Sequence, residues 1–180
     1  MSKVTIHMVS SLDGFISSPE QSTSWMQSKD TFENGTELTE EYITEFLGAI
    51  DCYVMGSKTY EQALNLGWPY GDTPVIVLTS RDLTSNKESV QFYSGDLKEL
   101  IEDQLKPFYQ NIWMVGGSIT TKEFIEKNLA DEIVITVAPV ILGDGVRFFD
   151  SINKQKTLHL VDVMAFKDGM IEMTYEILKD

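Results

Sequence analysis

The strongest constraint on the fold is an alternation of two hydrophobic patterns along the 180 residues. Short apolar runs rich in β-branched residues are typical of strands, and runs with apolar residues three and four positions apart are typical of helices. The chain changes from one pattern to the other several times and then ends in two alternating segments joined at Asp168-Gly169. Strands that alternate with helices predict a largely parallel sheet, and the final pair predicts an antiparallel hairpin.

The two patterns also define the expected elements. Strands are predicted at 4–10, 52–56, 74–80, 90–95, 111–115, 131–142, 157–166 and 171–178, and helices at 39–50, 57–67, 96–105 and 118–129. We therefore expect a three-layer α/β/α fold with a mostly parallel central mixed sheet, formed by residues 1–180 as a single domain. Residues 11–25 and 143–150 are rich in turn-forming residues and are expected to be loops.

Charge and composition exclude several classes of protein. The formal net charge is −14, and a surface this acidic repels the phosphate backbone of nucleic acid. No segment is apolar for long enough to cross a bilayer, and we expect no secretory signal. Cys52 is the only cysteine, which fits a reducing compartment, so we expect a cytoplasmic protein without nucleic-acid or membrane partners. No spacing of His, Cys and carboxylate residues predicts a metal site.

Two segments place glycine between an apolar run and a helix, YVMGSKTYEQ and WMVGGSITTKEF. Glycine has no Cβ, so a ligand can approach its backbone, and the first turn of a helix offers unpaired N–H groups with a partial positive charge. Both features suit the phosphates of a nucleotide. A third segment, LTSR, ends an apolar run with two hydroxyls and an arginine, whose planar fork suits a terminal phosphate.

Each of these turns is weak evidence by itself, because a glycine between a strand and a helix is usually only a turn. The G-x-G-x-x-G fingerprint that opens a dinucleotide-binding helix is absent, and so is the P-loop motif. Three such turns at the carboxyl ends of strands in one sheet would nevertheless converge on one crevice. The sequence therefore predicts a nucleotide site at that edge.

Five segments, in this order, resemble the dihydrofolate reductase-like superfamily: SLDGFIS, VMGSKTYE, VLTSR, WMVGGS and LADEIVITVAPVILGDGVRFF. The resemblance covers nearly the whole chain and is closest to the reductase domain of the bifunctional riboflavin-biosynthesis deaminase/reductase. Its most specific part extends from Gly116 to Phe149. It implies an NADPH-dependent reductase, often a homodimer, that transfers hydride to a small heterocyclic substrate of the 5-amino-6-(5-phosphoribosylamino)uracil type.

The resemblance also implies which residues contact the cofactor. The glycine turn at Gly56 would hold the pyrophosphate of NADPH, and the LTSR segment would bind the adenosine and its 2′-phosphate. The double-glycine turn would hold the rest of the cofactor. The implied NADPH-binding residues are Val9, Gly56, Ser57, Lys58, Thr59, Thr79, Ser80, Arg81, Val115, Gly116, Gly117, Ser118 and Ile119.

The substrate is expected near Met8 and near the loop that carries Asp13 and Gly14. Asp13 is the acid that we expect to hydrogen-bond the substrate, although Asp-Gly also simply makes a turn. Trp25, in the same loop, either closes over the site or anchors the loop. His7 is either a proton relay or, more in keeping with a histidine inside a strand, a structural hydrogen-bonding residue.

The identity of the substrate stays open in the sequence. Riboflavin-pathway reductases hold a phosphoribosyl group with Asp-Asp-Pro followed by Leu-Thr-x-Arg, and the corresponding interval here, QALNLGWPYGDTPVIV, has no such motif. Dihydrofolate reductase activity is one alternative, although none of Glu40, Glu41 and Glu45 can be matched to the acid that holds a pterin. A non-catalytic module that binds a nucleotide or a flavin is another.

Overall fold

The computed structural model describes residues 1–179, and at its centre lies an eight-stranded sheet. The ten strands in the described residues are β1 (Lys3–Ser11), β2 (Phe15–Ser17), β3 (Cys52–Gly56), β4 (Val75–Leu78), β5 (Val90–Tyr93), β6 (Asn111–Gly116), β7 (Glu132–Ala138), β8 (Val146–Arg147), β9 (Leu158–Ala165) and β10 (Ile171–Ile177). The order in the large sheet is β5-β4-β3-β6-β1-β7-β10-β9. From β5 to β7 every pairing is parallel, whereas β10 is antiparallel to both β7 and β9. The predicted mostly parallel mixed sheet with a C-terminal hairpin is confirmed.

Three α-helices connect the parallel strands. They are α1 (Glu40–Gly48), α2 (Ser57–Asn65) and α3 (Ser118–Glu126). A 3-10 helix occupies Ser24–Met26, and a π-helix occupies Glu99–Leu105. Within residues 1–179 no helix combines the length and the hydropathy that a membrane span requires.

The hydrophobic core lies on both faces of the sheet, because side chains alternate along each strand. On β4, Ile76 belongs to the cluster that contains the π-helix and α3, whereas Val75 and Val77 belong to the cluster that contains Tyr60 of α2. All three side chains are at most 5% exposed. The apolar run at 74–80 therefore forms the doubly buried strand that its composition predicts.

Two features of the fold were not expected from the sequence. The segments 11–25 and 143–150, both predicted to be loops, contribute β2 and β8, which pair as a separate antiparallel sheet. These strands have three and two residues, which is too short for a hydrophobic period to be visible. The predicted amphipathic helix at 96–105 forms mainly a π-helix, whose first amides are capped by the carboxylate of Asp96.

Candidate functional site

The carboxyl ends of four neighbouring parallel strands meet at one edge of the sheet. Gly56, the last residue of β3, pairs with Leu78 at the end of β4, and Met55 pairs with Gly116 at the end of β6. Strand β1 is parallel to β6 and ends at the same edge. The two glycine turns and the LTSR segment therefore lie at one edge of the sheet, as the sequence predicts.

The two glycine turns pack directly against each other. A Cβ on Gly56 would lie 3.2 Å from Oγ1 of Thr120 on α3, and a Cβ on Gly117 would lie 4.0 Å from Oγ1 of Thr59 on α2. Each turn thus faces the first residues of the other helix. The peptide bond between Gly116 and Gly117 is cis. The contacts of Gly56 with Thr120 and of Gly117 with Thr59 bring the N-termini of α2 and α3 side by side.

Both helix N-termini lack a side-chain cap. Gly56 precedes α2 and Gly117 precedes α3, and neither residue has a side chain that could accept a hydrogen bond from the first amides. In contrast, Oγ1 of Thr39 caps α1 by accepting a hydrogen bond from Tyr42 N. The first N–H groups of α2 and α3 have no partner within their helices, so they are suited to bind an anion.

Arg81 lies just beyond the end of β4, and its guanidinium is already paired. It donates a hydrogen bond to the carboxylate of Glu61 on α2, with 2.7 Å between nitrogen and oxygen. About half of each side chain is exposed, at 50% for Arg81 and 47% for Glu61. Thr79 supports the turn, because its hydroxyl accepts a hydrogen bond from Arg81 N at 3.0 Å. An exposed ion pair of this kind is weak enough for a ligand phosphate to compete with it.

A cleft of ≈ 250 Å³ opens beside the double-glycine turn, between the sheet and α2. Its volume is below the roughly 300–1,000 Å³ of a typical ligand pocket, so it fits one ring system rather than a whole dinucleotide. Six of the predicted site residues line it: Met8, Val9, Thr59, Val115, Gly116 and Gly117. The other predicted cofactor residues (Gly56, Ser57, Lys58, Thr79, Ser80, Arg81, Ser118 and Ile119) are not part of the cleft wall and lie on the turns along the edge.

The remaining wall of the cleft was not predicted from the sequence. Helix α2 contributes Gln62 and Ala63, which share one helical face with the predicted residue Thr59. The loop before α1 contributes Thr23 and Met26. The i, i+3, i+4 spacing on α2 was visible in the sequence, and closure of the loop over the site was one of the two alternatives for Trp25, but no pattern singles out Thr23 and Met26 as the residues that line the cleft.

Tyr70 also lines the cleft and presents a weakly acidic hydroxyl. Burial, together with the nearby Tyr53, raises the pKa of Tyr70 to about 12. The phenol therefore stays protonated at neutral pH and is a hydrogen-bond donor rather than a source of protons.

The carboxylate of Asp13 holds two loops together. It accepts hydrogen bonds from the hydroxyl of Ser11 at 2.7 Å, from Leu142 N at 3.0 Å and from Gly143 N at 2.7 Å. The bond from Ser11, helped by the two backbone bonds, lowers the pKa of Asp13 to about 2 against a smaller opposing effect of burial. Asp13 is thus an ionised loop anchor, and its predicted contact with a substrate stays a prediction.

Gly14 and Trp25 also make contacts within their own loops. Gly14 has φ +89 and its carbonyl accepts a hydrogen bond from Phe148 N at 2.8 Å. The indole of Trp25 donates to Ser22 O at 3.0 Å, while Thr23 and Met26 on either side line the cleft. The predicted substrate contacts of Gly14 and Trp25 stay predictions.

Within residues 1–179 no group of three or more His, Cys, Asp or Glu side chains is placed to hold a metal.

His7, on β1, lines the cleft and interacts with the adjacent strand β7 and with β10, the strand beyond it. Its Nε2 lies 3.3 Å from Oγ1 of Thr136 on β7 and 3.5 Å from Oε2 of Glu172 on β10. Its ring stacks on the indole of Trp113 with 5.0 Å between centroids. The sequence analysis favoured a structural hydrogen-bonding histidine, and the ring is indeed hydrogen-bonded. Its carboxylate partner could not be foreseen, because Glu172 lies near the other end of the chain.

Solved structures with the same architecture define the class of fold. The chain superposes on a Shewanella sp. PV-4 protein provisionally named for riboflavin biosynthesis, with a TM-score of 0.83, 24% identity and coverage of 98% of this chain and 99% of that one. It superposes on a dihydrofolate reductase from Enterococcus faecalis complexed with NADP(H), with a TM-score of 0.61, 18% identity and coverage of 98% and 97%. The fold is therefore that of a dihydrofolate reductase-like α/β protein.

A family model narrows this class. The model of the RibD C-terminal domain matches residues 2–171, and the protein therefore belongs to the RibD C-terminal domain family. A Thermotoga maritima diaminohydroxyphosphoribosylaminopyrimidine deaminase/5-amino-6-(5-phosphoribosylamino)uracil reductase has the same fold, with a TM-score of 0.68 and 16% identity. That alignment covers 98% of this chain and 57% of the bifunctional protein. The predicted resemblance to riboflavin-biosynthesis reductase domains is confirmed, and the family is reductase-like.

Proposed function

We propose that the protein is an NADPH-dependent oxidoreductase that reduces a small heterocyclic substrate. The observation that carries the proposal is the convergence of two uncapped glycine turns and Arg81 at the sheet edge where the cleft opens. The match to the RibD C-terminal domain covers residues 2–171, which include this edge, and a fold relative is a dihydrofolate reductase complexed with NADP(H). NADPH supplies a hydride when bound, and the chain supplies binding, orientation and exclusion of water.

The residues along the edge fit a dinucleotide phosphate. The open amides around Ser57 and Ser118, with Lys58 beside them, suit the pyrophosphate. Arg81, in exchange for its bond to Glu61, suits the 2′-phosphate of the adenosine. Gly117 leaves the approach open, because no atom outside its neighbours lies closer than 4.0 Å to the position of a Cβ. Met8 and Val9 then form the apolar wall against which the nicotinamide and the substrate ring lie.

We further propose a substrate of the 5-amino-6-(5-phosphoribosylamino)uracil type. Membership of the RibD C-terminal domain family supports it, and so does the fold shared with the Thermotoga maritima reductase. The cleft offers donors and acceptors for a polar ring, among them Gln62 and Tyr70. Dihydrofolate reduction and non-catalytic nucleotide or flavin binding are the rival functions.

We also propose that the protein acts as a homodimer in the cytoplasm. Apolar side chains that are more than one-third exposed lie on α1 and on the edge strand β9: Tyr42, Ile43, Phe46, Leu47, Leu158, Leu160, Val161 and Val163. Exposed apolar side chains in such number are typical of an interaction surface. The single buried thiol, Cys52, supports a reducing location.

The test combines binding and turnover in the intact protein. NADPH, NADH and FMN are compared by thermal shift, and NADPH oxidation is then followed with the phosphoribosylaminouracil and with dihydrofolate. The proposal predicts the largest stabilisation with NADPH and oxidation with the phosphoribosylaminouracil. Turnover of dihydrofolate alone would identify a dihydrofolate reductase. Tighter binding of FMN than of NADPH, with no NADPH oxidation, would identify a non-catalytic binding module.

A further inference from the structure

The imidazole of His7 separates two cavities of the molecule. His7 and Trp113 line the cleft beside the double-glycine turn, and they also line a second cavity of ≈ 180 Å³ between the sheet and α1. Lys3, whose side chain is 47% exposed, contributes to the second cavity, so that cavity reaches the solvent. The stacked rings of His7 and Trp113 therefore form part of a wall with a reaction cleft on one side and a route to water on the other.

A carboxylate and a hydroxyl hold one side of the His7 ring. Nε2 faces Oε2 of Glu172 at 3.5 Å and Oγ1 of Thr136 at 3.3 Å, and the Thr136 hydroxyl donates to Oε2 of Glu172 at 2.9 Å. The hydrogen bond from His7 lowers the pKa of Glu172, and the charge of His7 and the bond from Thr136 act in the same direction, while burial opposes them. Glu172 is thus an anion that faces Nε2 of the ring.

Aromatic neighbours fix the orientation of the ring. The indole of Trp113 stacks on it with 24° between the planes and donates a hydrogen bond to His7 O at 2.8 Å. The ring of Phe46, on α1, meets it edge-on at 5.5 Å. With Nε2 committed to Glu172 and Thr136, Nδ1 has no hydrogen-bond partner within residues 1–179. The protein therefore holds Nε2 of the ring, whereas Nδ1 is available to a ligand.

On the basis of the proposed reductase function, we propose that His7 is the proton donor to the substrate and that Glu172 and Thr136 are positioning residues. Hydride adds to the electrophilic carbon as the C=N or C=O π bond breaks, and the electron pair moves to the nitrogen or oxygen. That atom takes the proton from Nδ1, and the imidazolium becomes a neutral imidazole. Water that enters through the second cavity returns the proton to the ring.

The other groups in this region are less suited to the role. Asp13 is an anion with three donors, and Tyr70, with its pKa raised to about 12, gives up its proton with difficulty. The charged or titratable groups that face this region are Glu172 on β10, the Lys3–Glu132 pair at 2.9 Å in the second cavity, and Tyr42 on α1. Tyr42 lies within electrostatic reach of Glu172 and of Asp162 on β9. The anion nearest to the ring is Glu172.

The experiment follows the protonation of His7 by nuclear magnetic resonance of the imidazole nitrogens in the intact protein. The chain has two histidines, so His159→Gln assigns the signals, and His159, on β9 and outside the cleft, is the internal control. Titrations are compared for the NADPH and NADP⁺ complexes. The oxidised nicotinamide adds a positive charge near His7. The midpoint of the His7 titration should therefore be lower in the NADP⁺ complex than in the NADPH complex by about half a pH unit or more, while the midpoint of His159 stays unchanged.

Two variants test the positioning residues. Glu172→Gln should lower the His7 midpoint by about one pH unit, and Thr136→Val, which keeps the shape of the side chain, should lower it by less. A His7 midpoint that is the same in the NADPH and NADP⁺ complexes would overturn the proposal, because a ring close enough to protonate the substrate must sense the positive charge of the oxidised nicotinamide. If thermal shift detects NADPH binding in that case, the proposed reductase function survives; if NADPH does not bind at all, the reductase function itself fails.

Discussion

The guanidinium of Arg81 donates a hydrogen bond to the carboxylate of Glu61 across 2.7 Å, at the edge of the sheet where the glycine turns meet. Replacing Arg81 by Ala should weaken NADPH binding by about tenfold to a hundredfold, since a charge-assisted bond to phosphate contributes about 1.5–3 kcal/mol. NADH, which lacks the 2′-phosphate, should lose less than about threefold. Glu61→Gln is the matched variant and should strengthen NADPH binding by up to about fivefold, because it frees Arg81. Calorimetric titration measures the affinities of both variants for NADPH and NADH. An equal loss of affinity for NADPH and NADH in Arg81→Ala would show that Arg81 does not bind the 2′-phosphate.

The two adjacent glycines should respond differently to a side chain. Gly116 has φ +131, and a Cβ there would collide with the sulfur of Met8, so Gly116→Ala should destabilise the fold by about 1–3 kcal/mol. Gly117 has φ −89, and a Cβ there would make only ordinary contacts at 4.0 Å, so Gly117→Val should leave the unfolding midpoint nearly unchanged and weaken NADPH binding more than about tenfold. Gly48→Ala on α1, where a Cβ meets nothing within 4 Å, is the control for both. Unchanged NADPH affinity in Gly117→Val would mean that the glycine pair is only a turn.

Asp13 should stabilise the fold in a pH-dependent way. Its pKa is lowered from 3.8 to about 2, so the stabilisation from its ionised form is complete above pH 3.8 and is lost as the pH falls through about 2. Asp13→Asn should therefore unfold at a lower urea concentration than the parent at pH 7, and the difference should shrink between about pH 4 and pH 2. Asp144→Asn, in the same loop region with one local bond to Gly145 N, is the control. A difference that stays constant over this range would show that the charge of Asp13 does not hold the loops.

The apolar face of α1 and β9 should mediate dimerisation. Val161 is 55% exposed on the edge strand β9, and Val161→Asp should convert a dimer into a monomer in light scattering, because a buried unpaired charge is unfavourable at an interface. Phe108→Asp, at a site 78% exposed after the π-helix, should leave the mass unchanged. A parent protein that is monomeric at all concentrations would contradict the prediction.

The sequence predicted the sheet and its edge well, because those features depend on local patterns. The run at 74–80 indicated a doubly buried strand, and the glycine turns at Gly56 and Gly116 lie at neighbouring strand ends, as predicted. Contacts between distant residues could not be predicted in the same way. His7 and Thr136 are 129 positions apart, and the bonds from Leu142 and Gly143 to Asp13 span similar separations. Such pairs depend on strand order and loop packing, which a hydrophobic period does not encode.

The most direct test of the central claim is a crystal structure of the protein soaked with NADPH. We expect one cofactor along the edge of the sheet. Its pyrophosphate should lie on the first amides of α2 and α3, its 2′-phosphate on Arg81 and its nicotinamide in the cleft beside Gly117. Electron density for NADPH at another surface, or an edge without cofactor while calorimetry shows binding, would contradict it.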